Sequence, residues 1–157
     1  MTQDTTKAEL VTRKHMQRVA ALLMGAAKEL LNRAEAHDLS KLLLVELEPL
    51  QRMQDVIDKE SQAPYGSDEY RRRTAMLGDM TKHHYLHNSH HPEHYTAGID
   101  GMDLFDVLEM FLDWKAASER GEESKVNITA SVGRFKISHQ LEQILRNTAV
   151  NAGWATS

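Results

Sequence analysis

Apolar residues recur along the chain at steps of three and four positions, the spacing that places them on one face of an α-helix. No stretch shows the sustained alternation of apolar and polar residues that is typical of β-strands. The first helical stripe consists of Val11, His15, Val19, Leu22, Ala26 and Leu30. The pattern therefore predicts an all-α protein, folded as a compact bundle of six or seven helices.

Segments that disfavour helices separate the predicted elements. Residues 62–66 contain proline and glycine and should form a loop, after which Ser67 can cap the next helix. A later helix is predicted from Met102 or Asp103 to about Glu119, and the polar residues 121–124 should end it. The other helices are predicted near residues 50–57, 70–84, 125–133 and 138–150.

A length of 157 residues fits one domain with room for a buried core. We expect residues 1–7 to be a flexible N-terminus and residues 8–157 to form a single helical domain. The longest mostly apolar run, residues 20–27, is far too short to span a bilayer, and the polar N-terminus lacks the apolar centre of a signal peptide. The sequence therefore predicts a cytoplasmic protein without a membrane partner.

The composition narrows the chemistry that the chain can support. It contains no cysteine and nine histidines, six of which lie within residues 83–94. Disulfides, thiolate zinc sites, iron–sulfur clusters and cysteine nucleophiles are excluded, so imidazole and carboxylate remain as metal ligands. The formal net charge of −4 argues against a broad nucleic-acid-binding surface.

The pair His37-Asp38 is the first candidate site. At a helix end, adjacent histidine and aspartate side chains can converge on one cation as a nitrogen and an oxygen ligand. His15 precedes His37 by 22 residues, and in one unbroken helix the two would lie about 33 Å apart. A chain reversal near Gly25 would bring them to similar heights in a helical hairpin. His15 is then a candidate metal ligand, and without the reversal it is a hydrogen-bonded core histidine.

The histidine-rich segment 83–94 is the second candidate. His84 and Asn88 continue the inward stripe of the preceding helix, whereas His83 should point elsewhere. The helix should stop before Pro92, because the residue before a proline disfavours the α conformation. The segment should then turn back over the helix end, which makes metal ligands of four of its histidines and a substrate contact of Asn88. These ligands are His84, His90, His91 and His94. The alternative is a histidine-rich surface without a ligand.

Three carboxylates form the third candidate, because Asp106, Glu109 and Asp113 share a narrow arc of one helix. The rest of that helix is apolar over most of its circumference, so it should be central in the fold. Buried carboxylates need cationic or metal partners, which makes all three candidate metal ligands. The alternative is a solvated acidic face.

Basic side chains are candidates for binding phosphate. Lys41 follows Asp38 by three residues and is within reach of anything bound there, so we expect both to take part in catalysis. Lys115 and Arg134 are further candidates for binding the substrate, although each taken alone is more typical of a solvated surface charge. Glu46 is expected to orient a metal-bound water, or else to lie on the surface.

Several longer segments resemble a family of small uncharacterised proteins, a domain of unknown function common in phage and bacterial genomes. The matching segments are residues 33–41, 65–70, 83–84, 88–94, 102–104, 109–110, 113–117 and 134–138. The resemblance spans nearly the whole chain but brings no established activity with it. For a phage-encoded protein, it implies the cytoplasm of the host.

A second resemblance bears on the reaction. The His37-Asp38 pair, with His15 upstream and Asp106 or Asp113 downstream, is similar to the motif of HD-type metal-dependent phosphohydrolases. These proteins are helical, so the resemblance implies an HD-domain-like fold. It also implies a metal-dependent phosphohydrolase that acts on a small phosphorylated molecule, with a nucleotide as the favoured substrate.

The expected cofactor is one or two divalent ions. A mixed histidine and carboxylate set suits manganese, iron, cobalt, nickel or zinc, whereas magnesium alone would favour more oxygen ligands. Binding through neutral imidazoles should weaken as the pH falls through about 6.5. The alternatives are a non-catalytic metal-binding or phage accessory binding protein and, less favoured, a metal-dependent nuclease. The sequence leaves the formation of a homo-oligomer open.

Overall fold

The structure is a computed structural model and describes residues 6–61, 63, 67–120 and 124–157. Within these residues it is all-helical, as predicted, with seven α-helices and three short 3-10 helices. The α-helices are α1 (Lys7–Ala36), α2 (Leu44–Glu60), α3 (Asp68–Ala75), α4 (Asp79–His87), α5 (Leu104–Ser118), α6 (Ile128–Phe135) and α7 (His139–Asn151). The 3-10 helices are Leu39–Leu42, Pro92–His94 and Gly98–Gly101.

The chain divides into two compact units, Met1–His37 and Asp38–Ser157. Residues 1–5 and most of the predicted breaks at 62–66 and 121–124 lie outside the described residues, although Ala63 and Ser124 do not. No described helix combines the length and the apolar character needed to cross a membrane.

The first unit is built on α1, a single helix of 30 residues. Thr6 caps its start by accepting a hydrogen bond from the Glu9 N–H. The reversal near Gly25 that a role of His15 in the site would need does not occur, because the helix continues through that residue. The surrounding alanines and leucines favour a helix, and one glycine costs only about 1 kcal/mol relative to alanine. His15 is exposed on this helix, about 33 Å from His37, and cannot share an ion with it.

The apolar core of the second unit is formed by α5, α6, α7 and the C-terminal segment. The buried core residues are Phe111, Val126, Ile128, Ile137, Leu145 and Ala149. Trp114 stacks on Phe135 with ring centroids 5.7 Å apart, and Trp154 packs against Phe111. An isolated bridge between Val126 and Thr156 ties the end of the chain to this core.

Helix α5 presents its acidic arc to the protein rather than to open solvent, as predicted. Asp106 is buried, and Glu109 and Asp113 are half-buried. The helix is not enclosed on all sides, however, because Leu104 is 84% exposed. It therefore serves as one wall of the core and carries carboxylates on its inner face.

The histidine-rich segment leaves its helix where the sequence predicts. Helix α4 ends at His87, and Asn88 is already extended. His91 has an extended backbone (φ −94°, ψ 128°), which is the conformation favoured at the position before a proline. The short helix Pro92–His94 follows. The segment thus turns directly after α4 and brings His90 and His91 back toward His84.

Candidate metal centre

Asp38 supplies the carboxylate at the centre of the candidate site. Its backbone is in the left-handed region (φ 58°, ψ 16°), which aspartate tolerates better than most residues, and it starts the helix Leu39–Leu42. This helix places Lys41 against Asp38, and the Lys41 ammonium forms an ion pair with Asp38 Oδ2. Asp38 Oδ1 lies 3.3 Å from His84 Nε2 and 3.6 Å from His90 Nε2.

His84 is held in place by a buried glutamate. Its Nδ1 lies 2.9 Å from Glu46 Oε2 and therefore carries the hydrogen that a carboxylate accepts. This bond orients the ring so that Nε2 faces Asp38. A carboxylate on the far nitrogen of an imidazole is the usual arrangement behind a histidine that binds metal, since it fixes the ring and raises its basicity.

Glu46 is fully buried, with 0% of its surface exposed, and binds a second histidine. His83 Nδ1 lies 2.6 Å from Glu46 Oε1. Burial raises the pKa of Glu46, but the hydrogen bonds from His83, Ser40 and His84 outweigh it and hold the pKa below its usual value. Glu46 is therefore a carboxylate that positions His84. The expectation that it orients a metal-bound water is corrected, because both its oxygens accept from imidazoles.

His90 repeats the arrangement of His84 from the other side of the site. Its Nδ1 lies 3.1 Å from Glu109 Oε1, and its Nε2 faces Asp38. His90 is buried, so its ring has little freedom to turn away. Two histidines thus present Nε2 to the same carboxylate oxygen, each with a glutamate on its Nδ1.

His91 completes the group, with its Nε2 2.9 Å from His84 Nε2. Burial, with the positive charges that His90 and His84 can carry, lowers the pKa of His91 to about 3, against the opposing effect of the Asp113 and Asp38 carboxylates. His91 is therefore a neutral imidazole at physiological pH. A neutral imidazole nitrogen is the form that binds metal.

The four residues Asp38, His84, His90 and His91 together offer one donor atom each, and these atoms lie within 4.8 Å of one another. The three pairwise distances given above are 2.9, 3.3 and 3.6 Å. Ligands about 2.0–2.2 Å from a tetrahedral zinc ion would be about 3.3–3.6 Å apart. The two distances to Asp38 Oδ1 match this spacing, whereas the distance between His84 Nε2 and His91 Nε2 is shorter. The donor atoms therefore have the chemistry of a metal site, and those around Asp38 have its spacing.

Asn88 and Ser40 support this site from behind. Asn88 is buried, and its side-chain N–H group donates to Ser40 Oγ at 2.7 Å and to the His84 carbonyl oxygen at 2.8 Å. These bonds fasten the end of α4 to the helix Leu39–Leu42. The role of Asn88 in binding substrate is corrected to a structural one, since its amide nitrogen is already committed inside the protein.

Two predicted ligands lie outside the cluster. His94 is exposed, and its Nδ1 donates to the Tyr85 carbonyl oxygen at 2.8 Å. Asp106 accepts from Ser89 Oγ at 2.7 Å, from Tyr95 Oη at 2.6 Å and from the Asp103 N–H at 3.0 Å. With Asp103 it forms the capping box of α5. The structure therefore corrects both residues to structural contacts.

The predicted ligands Asp113 and His37 lie in different units of the chain. Asp113 is half-buried on α5, and one of its carboxylate oxygens lies within 4.8 Å of one from Asp38, so it borders the cluster. His37 is the last residue of the first unit, and its N–H closes α1 by donating to the Arg33 carbonyl oxygen. Its role as a ligand stays a prediction from the sequence.

The basic residues predicted to bind phosphate have different partners in the structure. Lys41 is paired with Asp38 at the site itself. The Lys115 ammonium donates to Glu119 and to Ser124 Oγ, and Arg134 donates to Glu93 at 2.8 Å and lies over the Phe135 ring. Among these candidate phosphate contacts, Lys41 contacts the donor cluster through Asp38.

The sequence interpretation missed the contact of His83 with Glu46, since His83 was expected to point elsewhere. Glu46 lies 37 positions before His83, on another helix. The signal that could have found it is composition: Glu46 stands among leucines and valine in residues 42–47, where a solvated carboxylate is unusual. A carboxylate in an apolar run is a candidate for burial with a basic partner.

Residues 4–151 match DUF5662, a family of unknown function, and the chain belongs to this family. No curated protein matches the chain. No solved structure matches it either. The match agrees with the predicted membership in an uncharacterised family.

Proposed function

We propose that the second unit binds a divalent transition-metal ion through Asp38, His84, His90 and His91 and uses it to hydrolyse a small phosphorylated molecule, with a nucleotide as the favoured substrate. The observation that carries the proposal is the convergence of two histidine Nε2 atoms on Asp38 Oδ1, each ring oriented by a glutamate. An ion at this point would accept a lone pair from each of these atoms.

The donor set favours particular metals. Three imidazoles and one carboxylate suit manganese, iron, cobalt, nickel or zinc. Magnesium is disfavoured because it prefers oxygen ligands and keeps several waters. One ion fits the four donors, and Asp113 beside them is the carboxylate that a second ion would use.

Hydrolysis of a phosphate ester is proposed because of the metal and Lys41. A bound ion lowers the pKa of a coordinated water and draws charge from a phosphoryl oxygen. Lys41 brings a positive charge into contact with Asp38 and can offset charge that develops on the phosphoryl group. The similarity of His37-Asp38 to the HD-type motif supports the same reaction class.

A non-catalytic metal-binding protein is the second candidate function. Four protein ligands can close a tetrahedral coordination sphere and leave no position for water. The four donor atoms of this cluster are enough for such a closed site. A nuclease is less favoured, because the chain is acidic overall and a nuclease needs a basic groove.

The test is a hydrolysis assay on chelator-treated protein reloaded with manganese, iron(II), cobalt, nickel or zinc. Nucleoside mono-, di- and triphosphates are offered to the wild type, to Asp38→Ala and to Lys41→Ala. We expect phosphate release by the wild type and none by Asp38→Ala. Lys41→Ala should keep the metal and lose roughly 100-fold in kcat/KM, the order found when a group that stabilises transition-state charge is removed.

The matched control is Lys82→Ala, which removes an exposed lysine paired with Asp79 and should leave turnover unchanged. Metal binding without turnover of any phosphoester would overturn the hydrolase and support the closed, non-catalytic site. Failure of the wild type to retain any of the five metals would overturn both functions.

A further inference from the structure

Helix α4 carries a second pair of imidazoles that the donor cluster does not use. His83 and His87 are four positions apart and therefore lie on one face of the helix. Their rings are stacked, with centroids 4.1 Å apart and planes inclined by 24°. Two histidines at this spacing are the arrangement in which a single helix binds zinc with two of its own side chains.

The hydrogen bonds of the two rings determine which nitrogen of each can bind an ion. His83 Nδ1 lies 2.6 Å from Glu46 Oε1, and His87 Nδ1 lies 2.8 Å from the His83 carbonyl oxygen. Carboxylate and carbonyl oxygens only accept, so each Nδ1 carries the hydrogen. In a neutral ring the lone pair is then on Nε2. Both rings therefore offer Nε2 as the ligand atom.

Glu46 orients His83 in the same way as it orients His84. The glutamate is fully buried, and its second oxygen lies 2.9 Å from His84 Nδ1. A carboxylate on Nδ1 fixes the ring of a ligand histidine and raises the basicity of its Nε2. One buried carboxylate thus prepares two histidines for metal, and only His84 belongs to the donor cluster.

The pair is separate from the donor cluster. Consecutive residues leave an α-helix in directions about 100° apart. His84 Nε2 lies 3.3 Å from Asp38 Oδ1, whereas the His83 ring lies against His87. The contacts that define the pair join α2 and α4, which both belong to the second unit. An ion bound by this pair therefore has ligands that differ from those of the cluster.

We propose that His83 and His87 form a second metal site, in which Nε2 of both rings binds a divalent transition-metal ion and water fills the remaining positions. Copper(II) is the favoured ion, because imidazole and water suit its tetragonal geometry and it binds most tightly of the divalent first-row metals. Two nitrogens about 2.0–2.1 Å from one ion lie about 3 Å apart at adjacent positions. The Nε2 edges of the stacked rings therefore tilt toward each other on binding.

The His83–His87 site is weaker than the donor cluster. It has two protein ligands, whereas the cluster has four. Copper(II) should therefore fill the cluster first and the His83–His87 site second. Neither His83 nor His87 is a member of the cluster, so this site binds copper independently of the proposed hydrolase.

The test is equilibrium dialysis of the chelator-treated full chain against copper(II), with the bound copper counted per chain. His87→Gln should bind one copper fewer than the wild type, because one of the two protein ligands is lost. The printed sequence is otherwise shared by the two proteins, so the difference in count isolates this site. The far-ultraviolet circular dichroism should be unchanged, since the hydrogen bond of His87 is to its own helix.

The matched control is His94→Gln. His94 Nδ1 also donates to a carbonyl oxygen, that of Tyr85 at 2.8 Å, but its ring meets Tyr95 edge-on rather than a second imidazole. This variant should bind as many copper ions as the wild type. A loss of one copper from His94→Gln as well would overturn the proposal, because the ion would not then depend on the stacked pair.

Electron paramagnetic resonance of the wild type identifies the ligands without a variant. The second copper to bind should show coupling to two imidazole nitrogens. Coupling to fewer than two, or equal copper counts in the wild type and His87→Gln, would overturn the proposal. The pair would then be a structural end of α4, where histidine side chains favour the negative end of the helix dipole.

Failure of the donor cluster gives a different result. If the cluster does not bind metal, His90→Gln should bind as many copper ions as the wild type. The difference of one copper between the wild type and His87→Gln would remain. The two variants therefore distinguish a failure of the proposed function from a failure of the His83–His87 site.

Discussion

Glu46 is fully buried between His83 and His84, and each of its oxygens accepts from Nδ1 of one of these rings. Its negative charge holds a hydrogen on Nδ1 of His84 and so directs Nε2 toward Asp38. The same logic applies to Glu109 and His90. At the scale of single residues, the site therefore depends on groups that an ion would never touch.

Replacing Glu46 with glutamine tests this dependence. Glutamine keeps the shape of the Glu46 side chain but lacks the negative charge that orients His84. Metal affinity should therefore fall about 10- to 100-fold. The measurement is a competition titration against a fluorescent zinc chelator. Glu48→Gln is the matched control, since Glu48 lies two positions on and is exposed, and its affinity should equal that of the wild type. Equal affinity in both variants would show that Glu46 has no positioning role.

The members of the donor cluster were only partly predictable from the sequence. Asp38, His84, His90 and His91 were all among the candidates, because histidines near a helix end and a His-Asp pair are local patterns. His94 was chosen by the same pattern but bonds to Tyr85. Which histidine of a cluster faces inward depends on the turn after α4, and sequence spacing does not encode that turn in detail.

At the scale of elements, α5 shows why an acidic arc can have two purposes. Glu109 orients His90, whereas Asp106 holds the segment before α5 against the helix through Ser89 and Tyr95. Burial and the hydrogen bond to Asp106 raise the pKa of Tyr95 to about 12, so its hydroxyl remains a donor. Equal helical spacing gave all three carboxylates the same predicted role, since the sequence does not show which partner each one meets.

Asp106→Ala should therefore destabilise the fold without removing the site. It leaves the Ser89 and Tyr95 hydroxyls without their acceptor and breaks the capping box, so the free energy of unfolding should fall by about 2–4 kcal/mol. Urea denaturation measures the change, and Asp100→Ala, an exposed position, is the control. Under native conditions the variant should still bind metal with the wild-type stoichiometry. Loss of metal with unchanged stability would make Asp106 a ligand after all.

Helix α1 is an element whose continuity can be predicted from its local sequence. Its hydrophobic pattern predicts a helix, and the sequence left open a reversal at Gly25 that would have let His15 reach His37. The intrinsic helix preference of the surrounding residues outweighs a single glycine, and the helix continues. The helix preference of the residues around Gly25 therefore predicts the structure of α1 better than the spacing of His15 and His37 does.

At the scale of the whole molecule, the all-α class and the six or seven helices followed from periodicity, and the structure confirms both. The site could not be assembled from the sequence with the same success, because it joins segments distant in the chain. Asp38 and Glu46 come from one region of the chain, the three histidines of the donor cluster from another and Glu109 from a third. Contacts over such separations depend on packing, which apolar periodicity describes only in outline.

The most direct test of the central claim is a cobalt(II) titration of the chelator-treated full chain, followed by its visible absorption. The wild type should bind with a distinct ligand-field band. His90→Gln should lose more than about 100-fold in affinity, and His94→Gln, which changes an exposed histidine four positions on, should bind as the wild type does. No binding by the wild type, or equal affinities in all three proteins, would contradict a metal centre built from Asp38, His84, His90 and His91.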